Sequence, residues 1–166
     1  MDRAVPAHSQ PLTARLSPYL VAPLLLLIAA LLVLRAAGAL GFTPLADWRT
    51  AARFALAIMF AFTAAAHFGR QKDSLVRMVP SRMPAPRRVI AVTGVLELLG
   101  ALGLLLLVTA PLAGICLALL LVAMFPANVK AAREQVMIDS KPATPLWFRT
   151  LVQIIFVAAL LSATLS

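Results

Sequence analysis

One carboxylate stands inside a membrane-length apolar run: Glu97, in VIAVTGVLELLGALGLLLLV over residues 89–108. Thr93 lies one helical turn before it and Gly100 three residues beyond, so the three share a helix face. A charge at the bilayer centre costs about 2.5–3.5 kcal/mol on insertion scales, and such groups face the bundle interior, take partners and mark proton or ligand pathways. A carboxyl in this place can relay a proton or hold the polar end of a lipophilic ligand. The competing reading is a neutral, hydrogen-bonded carboxyl that fixes its helix against its neighbours. Three more polar residues accompany other apolar runs: His67 in AARFALAIMFAFTAAAHF, Asn128 in PLAGICLALLLVAMFPANV and Gln153 in LWFRTLVQIIFVAALLSATLS. Each also has a plainer role, as a snorkelling imidazole, a helix-end cap and interhelical glue respectively.

Several chemistries are set aside by residue type. Cys116 is the single cysteine, so the chain has no dithiol of its own. No His pair has the spacing of a bis-imidazole haem site, and no Cys, His and carboxylate cluster has metal-ligand spacing, so no metal is expected. Neither a P-loop nor a dinucleotide fingerprint occurs.

The elements that must position these residues are apolar helices. With 62% hydrophobic residues in 166 and a mean hydropathy of +0.95, the chain lies outside soluble composition. It reads as all-α, an integral membrane bundle with five transmembrane helices over about 18–40, 51–68, 89–108, 111–129 and 146–165. Residues 1–17, with His8, read as a disordered cytoplasmic arm, and 18–166 as a single bundle. A cleaved signal peptide competes for the first span, since Arg15 precedes its apolar core. Against cleavage stand the length of that core and Arg35, which separates it from the small residues 37–39.

The connections have their own signals. Residues 41–49 carry Gly, Pro and Asp, with Trp48 suited to an interface. Ala57, Ala61, Ala64 and Ala65 offer the second span a small-residue face for close packing. Residues 69–88, basic and broken by Pro80, Pro84 and Pro86, read as a segment lying on the membrane surface. Thr109, Ala110 and Pro111 form the expected turn of a tight hairpin. Pro126 is expected to kink the fourth span or begin its unwinding near residues 124–128.

Of the 15 Lys and Arg, twelve fall on the side of the N-terminus: Arg3, Arg15, Arg70, Lys72, Arg77, Arg82, Arg87, Arg88, Lys130, Arg133, Lys141 and Arg149. Only Arg35, Arg49 and Arg53 fall on the other. By the positive-inside rule the N-terminus is cytoplasmic and the C-terminus outside. This placement also explains the net charge of +9 by membrane lipids as partners; with no basic, aromatic-interleaved surface, no nucleic acid is expected. Counting about 1.5 Å per residue from the cytoplasmic end of each span, Glu97 lies roughly 13 Å deep, Gln153 about 9 Å, Thr93 roughly 7 Å, and His67 and Asn128 about 2 or 3 Å. Gln153 is then the expected partner of Glu97, His67 would need a water chain, and Arg53 would have to bend far inward. Glu97 is read as neutral at rest.

Five blocks in order, AAAHF (64–68), MVPSRMPAP (78–86), TGVLELLGALGLL (93–105), AMFPANVKAA (123–132) and PLWFRTLVQ (145–153), resemble the DoxX family of small bacterial membrane proteins over about residues 50–165. The resemblance implies a four-helix core, the second to fifth spans, with the first as an addition. His67, Glu97, Asn128 and Gln153 occupy the polar positions inside the matching blocks. Relatives accompany thiosulfate:quinone oxidoreductase or methylamine dehydrogenase maturation, or are linked to redox homeostasis. It therefore implies a redox-associated subunit of the bacterial plasma membrane, with a membrane or peripheral redox protein as partner and a quinone-like or other lipophilic ligand near Glu97. Thr93, His67, Asn128 and Gln153 complete the expected polar centre. The lack of a cysteine pair departs from relatives for which thiol chemistry is argued. The alternative is a non-catalytic accessory or assembly protein that docks a partner through the basic loop 69–88. Small-solute transport is the weaker third reading, since no inverted repeat is visible.

Overall fold

The computed structural model describes residues 18–138 and 141–165; the arm assigned to 1–17, with His8, lies outside them. Its long helices are α1 (Pro18–Ala39), α3 (Trp48–Phe68), α5 (Pro86–Leu105), α6 (Ala110–Arg133) and α7 (Leu146–Thr164). Two short helices, α2 (Thr43–Ala46) and α4 (Lys72–Met78), lie in connections. A small antiparallel pairing of β1 (Met137–Ile138) with β2 (Lys141–Pro142) sets Met137 opposite Pro142 and Ile138 opposite Lys141. Among the described residues, five helices are long and apolar enough to cross a membrane. The protein is an all-α, multi-pass membrane bundle.

α3 is the centre. It packs against α1, α5 and α7, while α6 packs against α5 and α7. Ala51, Ala52, Ala55, Ala57 and Ala64 are buried on it, but Ala61 and Ala65 are exposed. The close-packing face is thus rotated from the expected one, because Leu56, Met59 and Phe60 also point inward, onto Leu104, Leu117, Val152, Phe156 and Leu160. Outward side chains such as Leu32, Val92, Leu99, Leu112 and Ile154 are exposed. Apolar outside and polar inside is the arrangement a hydrocarbon solvent favours.

Helix ends differ from the expected bounds for local reasons. α3 starts three residues early because Asp47 caps it, accepting from Thr50 N at 2.8 Å and Thr50 Oγ1 at 2.9 Å. α5 starts at Pro86, a residue suited to the first helical turn. It ends at Leu105, where Thr109 Oγ1 donates to Gly103 O at 2.8 Å and tightens the turn into α6. α6 neither stops nor unwinds at Pro126 but continues to Arg133. The proline removes the N–H that would bond Val122 O; one residue earlier, Leu121 O receives Gln153 Nε2 at 3.0 Å. A side chain from α7 thus bonds the backbone of α6 next to the turn that Pro126 interrupts.

The 69–88 connection is folded rather than merely laid on a surface. α4 buries Ser74 and Met78, and Met78 joins Ala131, Val136, Ile138 and Ala143 in a second small core. Lys130 Nζ donates to Val79 O at 2.8 Å and Arg77 to Met137 O at 2.9 Å. Together they form a cap on the basic end of the bundle.

Candidate functional site

Two i, i+4 pairs face one another across the contact of α3 and α5: Thr63 with His67, and Thr93 with Glu97. His67 is 3% exposed and Glu97 4%. His67 Nδ1 donates to Ile90 O at 2.9 Å, and Nε2 lies 3.5 Å from Glu97 Oε1. Thr93 Oγ1 is 3.1 Å from His67 Nδ1 and donates to Ile90 O at 2.9 Å. Thr63 Oγ1 lies 2.9 Å from Glu97 Oε2 and 3.0 Å from Phe60 O.

This geometry constrains the protons. Ile90 O can only accept, so Nδ1 carries a proton in this arrangement, and Nε2 and Oε1 face each other across room for a single proton. Glutamic acid beside neutral imidazole, or glutamate beside imidazolium, leaves the pair neutral overall; removing that proton leaves a net buried charge. The Thr63 hydroxyl serves both states. Turned toward Oε2 it donates to a carboxylate; turned toward Phe60 O it accepts from a carboxylic acid. At 3.5 Å the Nε2 to Oε1 separation exceeds hydrogen-bond length, so the groups must close by a few tenths of an ångström to exchange a proton.

His67 is therefore a direct neighbour of Glu97, not one reached through a water chain. The depth count placed it too shallow because it measured each span from its own end. α5 runs below the end of α3, so the last turn of α3 meets α5 at Ile90 to Glu97, more than a turn inside Pro86. Gly94 permits the contact: a Cβ there would lie 2.6 Å from His67 Cβ and 2.9 Å from the Phe68 ring.

Gln153 is not the partner of Glu97. It belongs to a second cluster, between α6 and α7, with Asn128 and Arg149. Arg149 NH1 donates to Asn128 Oδ1 at 3.0 Å, and Asn128 Nδ2 to Gln153 Oε1 at 3.1 Å. Depth along the membrane normal says nothing of direction around the helix axis, and Gln153 turns toward α6. Asn128 is no helix-end cap either, since α6 runs past it. Arg149, expected at an interface, is 3% exposed. Arg53 is buried at the other end of α3, with Thr50 Oγ1 3.4 Å from its guanidinium. Sequence reasoning missed Thr63 and Arg149 as site residues, although Thr63 precedes His67, and Arg149 precedes Gln153, by the same four residues that join Thr93 to Glu97.

A crevice opens between α5 and α6 under the cap, walled by Val79, Met83, Ile90, Thr93, Met124 and Ala127 among others. Among the described residues, Thr93 is the one polar side chain in its lining. Through Thr93 it adjoins the first cluster; the interior between α3, α5 and α7 is filled with side chains. Among the described residues no three His, Cys, Asp or Glu side chains are grouped to hold a metal ion.

No curated protein and no solved structure matches the chain. Residues 56–164, which carry both polar clusters, match the family described as a domain of unknown function, DUF8561, and the chain belongs to that family.

Proposed function

We propose that the protein is a redox-associated subunit of the bacterial plasma membrane in which the His67 and Glu97 pair supplies one proton to a lipophilic, quinone-like ligand in the crevice beside Thr93. One observation carries this reading: the Thr93 hydroxyl both lines the crevice and lies 3.1 Å from His67 Nδ1. A ligand oxygen that gains electrons from a partner redox protein takes a proton from Thr93. Thr93 regains one from Nδ1, and Glu97 passes its own to Nε2. The imidazole ends neutral in its other tautomer, and Thr63 turns its hydroxyl to the new carboxylate. Asn128 and Gln153 act at a distance, holding α6, one wall of the crevice, against α7. The resemblance to DoxX proteins supports the redox association, and the twelve-to-three charge bias supports a cytoplasmic N-terminus and an outside C-terminus.

A second reading, an accessory protein that docks a partner, draws support from Arg82, Arg87 and Arg88, which are exposed on or beside the folded cap. Glu97→Gln and Thr93→Val separate the two when the full chain, in nanodiscs, is titrated with a short-chain benzoquinone. We expect Thr93→Val to weaken binding about tenfold, as loss of one buried hydrogen bond would. Glu97→Gln should abolish the carboxyl band in the infrared difference spectrum between oxidised and reduced ligand while leaving binding in place. Wild-type binding without any Glu97 signal overturns the relay; dependence on Arg82, Arg87 and Arg88 alone favours docking.

A further inference from the structure

One wall of the crevice is not a spanning helix but the stretch that joins α4 to α5. Val79, Pro80 and Met83 of this stretch line the crevice, together with Thr93 of α5 and Ala127 of α6. On the flank, Ala123 and Pro126 are exposed on the outer surface of a helix long and apolar enough to cross the membrane, so that side faces hydrocarbon. The joining stretch faces the other way, with Ser81, Arg82 and Met83 exposed at the basic end of the bundle.

Its two ends are fixed in different ways. At the first, Val79 is buried and its carbonyl accepts Lys130 Nζ at 2.8 Å, a charge-assisted bond that ties the stretch to α6. At the second, Ala85 takes φ 51° and ψ 60°, left-handed backbone that a residue with a Cβ adopts only at a cost. Its carbonyl accepts Arg88 N at 2.8 Å and Val89 N at 3.2 Å, which starts α5. Between the ends, Met83 N donates to Pro80 O at 2.9 Å and closes a single turn. Strained residues persist only where their surroundings hold them, and hinges consist of a few such positions.

We propose that residues 79–85 form a hinged strap that closes the crevice to the water at the basic end and, when it lifts, admits water to Thr93. Lys130 is the latch and Ala85 the hinge. What the strap does for the site rests on the proton relay of His67 and Glu97, which leaves a glutamate and an imidazole protonated on Nε2. A hydronium ion under the lifted strap gives a proton to Thr93 Oγ1, Thr93 passes its own to Nδ1, and Nε2 returns its proton to Glu97. With the strap down, refilling stops, and so does leakage of the proton the pair holds. The lipophilic ligand and water thus reach Thr93 from different sides.

The test reads water in the crevice and needs no ligand. Thiols react as thiolates, so the charged trimethylammonium-ethyl methanethiosulfonate modifies a cysteine only where water reaches it. In the full chain carrying Cys116→Ala, in nanodiscs, we expect Thr93→Cys to react about a hundredfold more slowly than Ser81→Cys on the exposed strap, as a minor open state dictates. Lys130→Met removes the latch and should speed that reaction about tenfold. Ala85→Gly relieves the left-handed joint of the closed strap and should slow it about fivefold. Ala127→Cys, on the facing wall, should show the same pattern and serves where Thr93→Cys does not assemble. Leu99→Cys, exposed on the lipid-facing surface, should stay unreactive throughout. The proposal is overturned if the crevice cysteines react as fast as Ser81→Cys, if Lys130→Met leaves their rates unchanged, or if Ala85→Gly fails to lower them. Reaction of Leu99→Cys in the Lys130→Met background would also overturn it, since the whole bundle would then have loosened. No quinone or redox partner takes part, so a failed relay would leave these rates as they are, and an absent strap motion would leave the Glu97 infrared signal in place.

Discussion

His67 reaches Glu97 only because position 94 carries no side chain. Gly94→Ala would put a methyl 2.6 Å from His67 Cβ, and neither neighbouring helix can yield without repacking. We expect a loss of about 1–3 kcal/mol in stability, read as a lower unfolding temperature, together with loss of the imidazole's NMR response to Glu97→Gln. Retention of that response would show that the helices accommodate the methyl elsewhere. That Glu97 turns into the bundle was legible from one carboxylate in an apolar run, and that Thr93 shares its face from the four-residue spacing. Thr63 and Arg149 were not, because a threonine costs little in a membrane helix and an arginine near a span end has an interface to reach. Only contacts between helices distinguish those residues from many like them.

At the scale of elements, the start of α3 rests on Asp47, which lies outside the span. The backbone N–H of Thr50, and then its hydroxyl, hold the Asp47 carboxyl below the usual carboxylate range. A folded-state pKa below the unfolded one stabilises the fold above the unfolded pKa, and that contribution is lost as pH falls through the folded value. Asparagine caps a helix comparably without titrating. The difference in unfolding temperature between wild type and Asp47→Asn should therefore be largest near neutral pH and shrink on acidification below about pH 4. A pH-independent difference would mean that the carboxylate charge contributes nothing at this cap. α6 gives the opposite lesson. Pro126 read alone predicts a break, yet α6 continues to Arg133, with Gln153 of another helix bonded to Leu121 O beside the interrupted turn.

For the whole molecule, the charge bias predicts the cap on the cytoplasmic side and α2 outside. In a Cys116→Ala background, a membrane-impermeant maleimide applied to intact spheroplasts should label Thr43→Cys in the 41–47 turn and leave Ser81→Cys in the cap unlabelled; both positions are exposed. The reverse pattern would invert the orientation and draw the proposed proton from outside. Span number and the existence of a polar centre were determined by the sequence alone, because hydropathy and the cost of a buried carboxylate are properties of composition and of single residues. Tertiary structure decided the rest. It divided five expected site residues between two clusters, brought His67 to Glu97, sent Gln153 to Asn128 and buried Arg149 with no counter-ion among the described residues. The physical reason is that spacing along a helix sets height and face only within that helix. Partnership across helices depends on their relative rotation and on the stagger of their ends, which packing of the whole bundle settles.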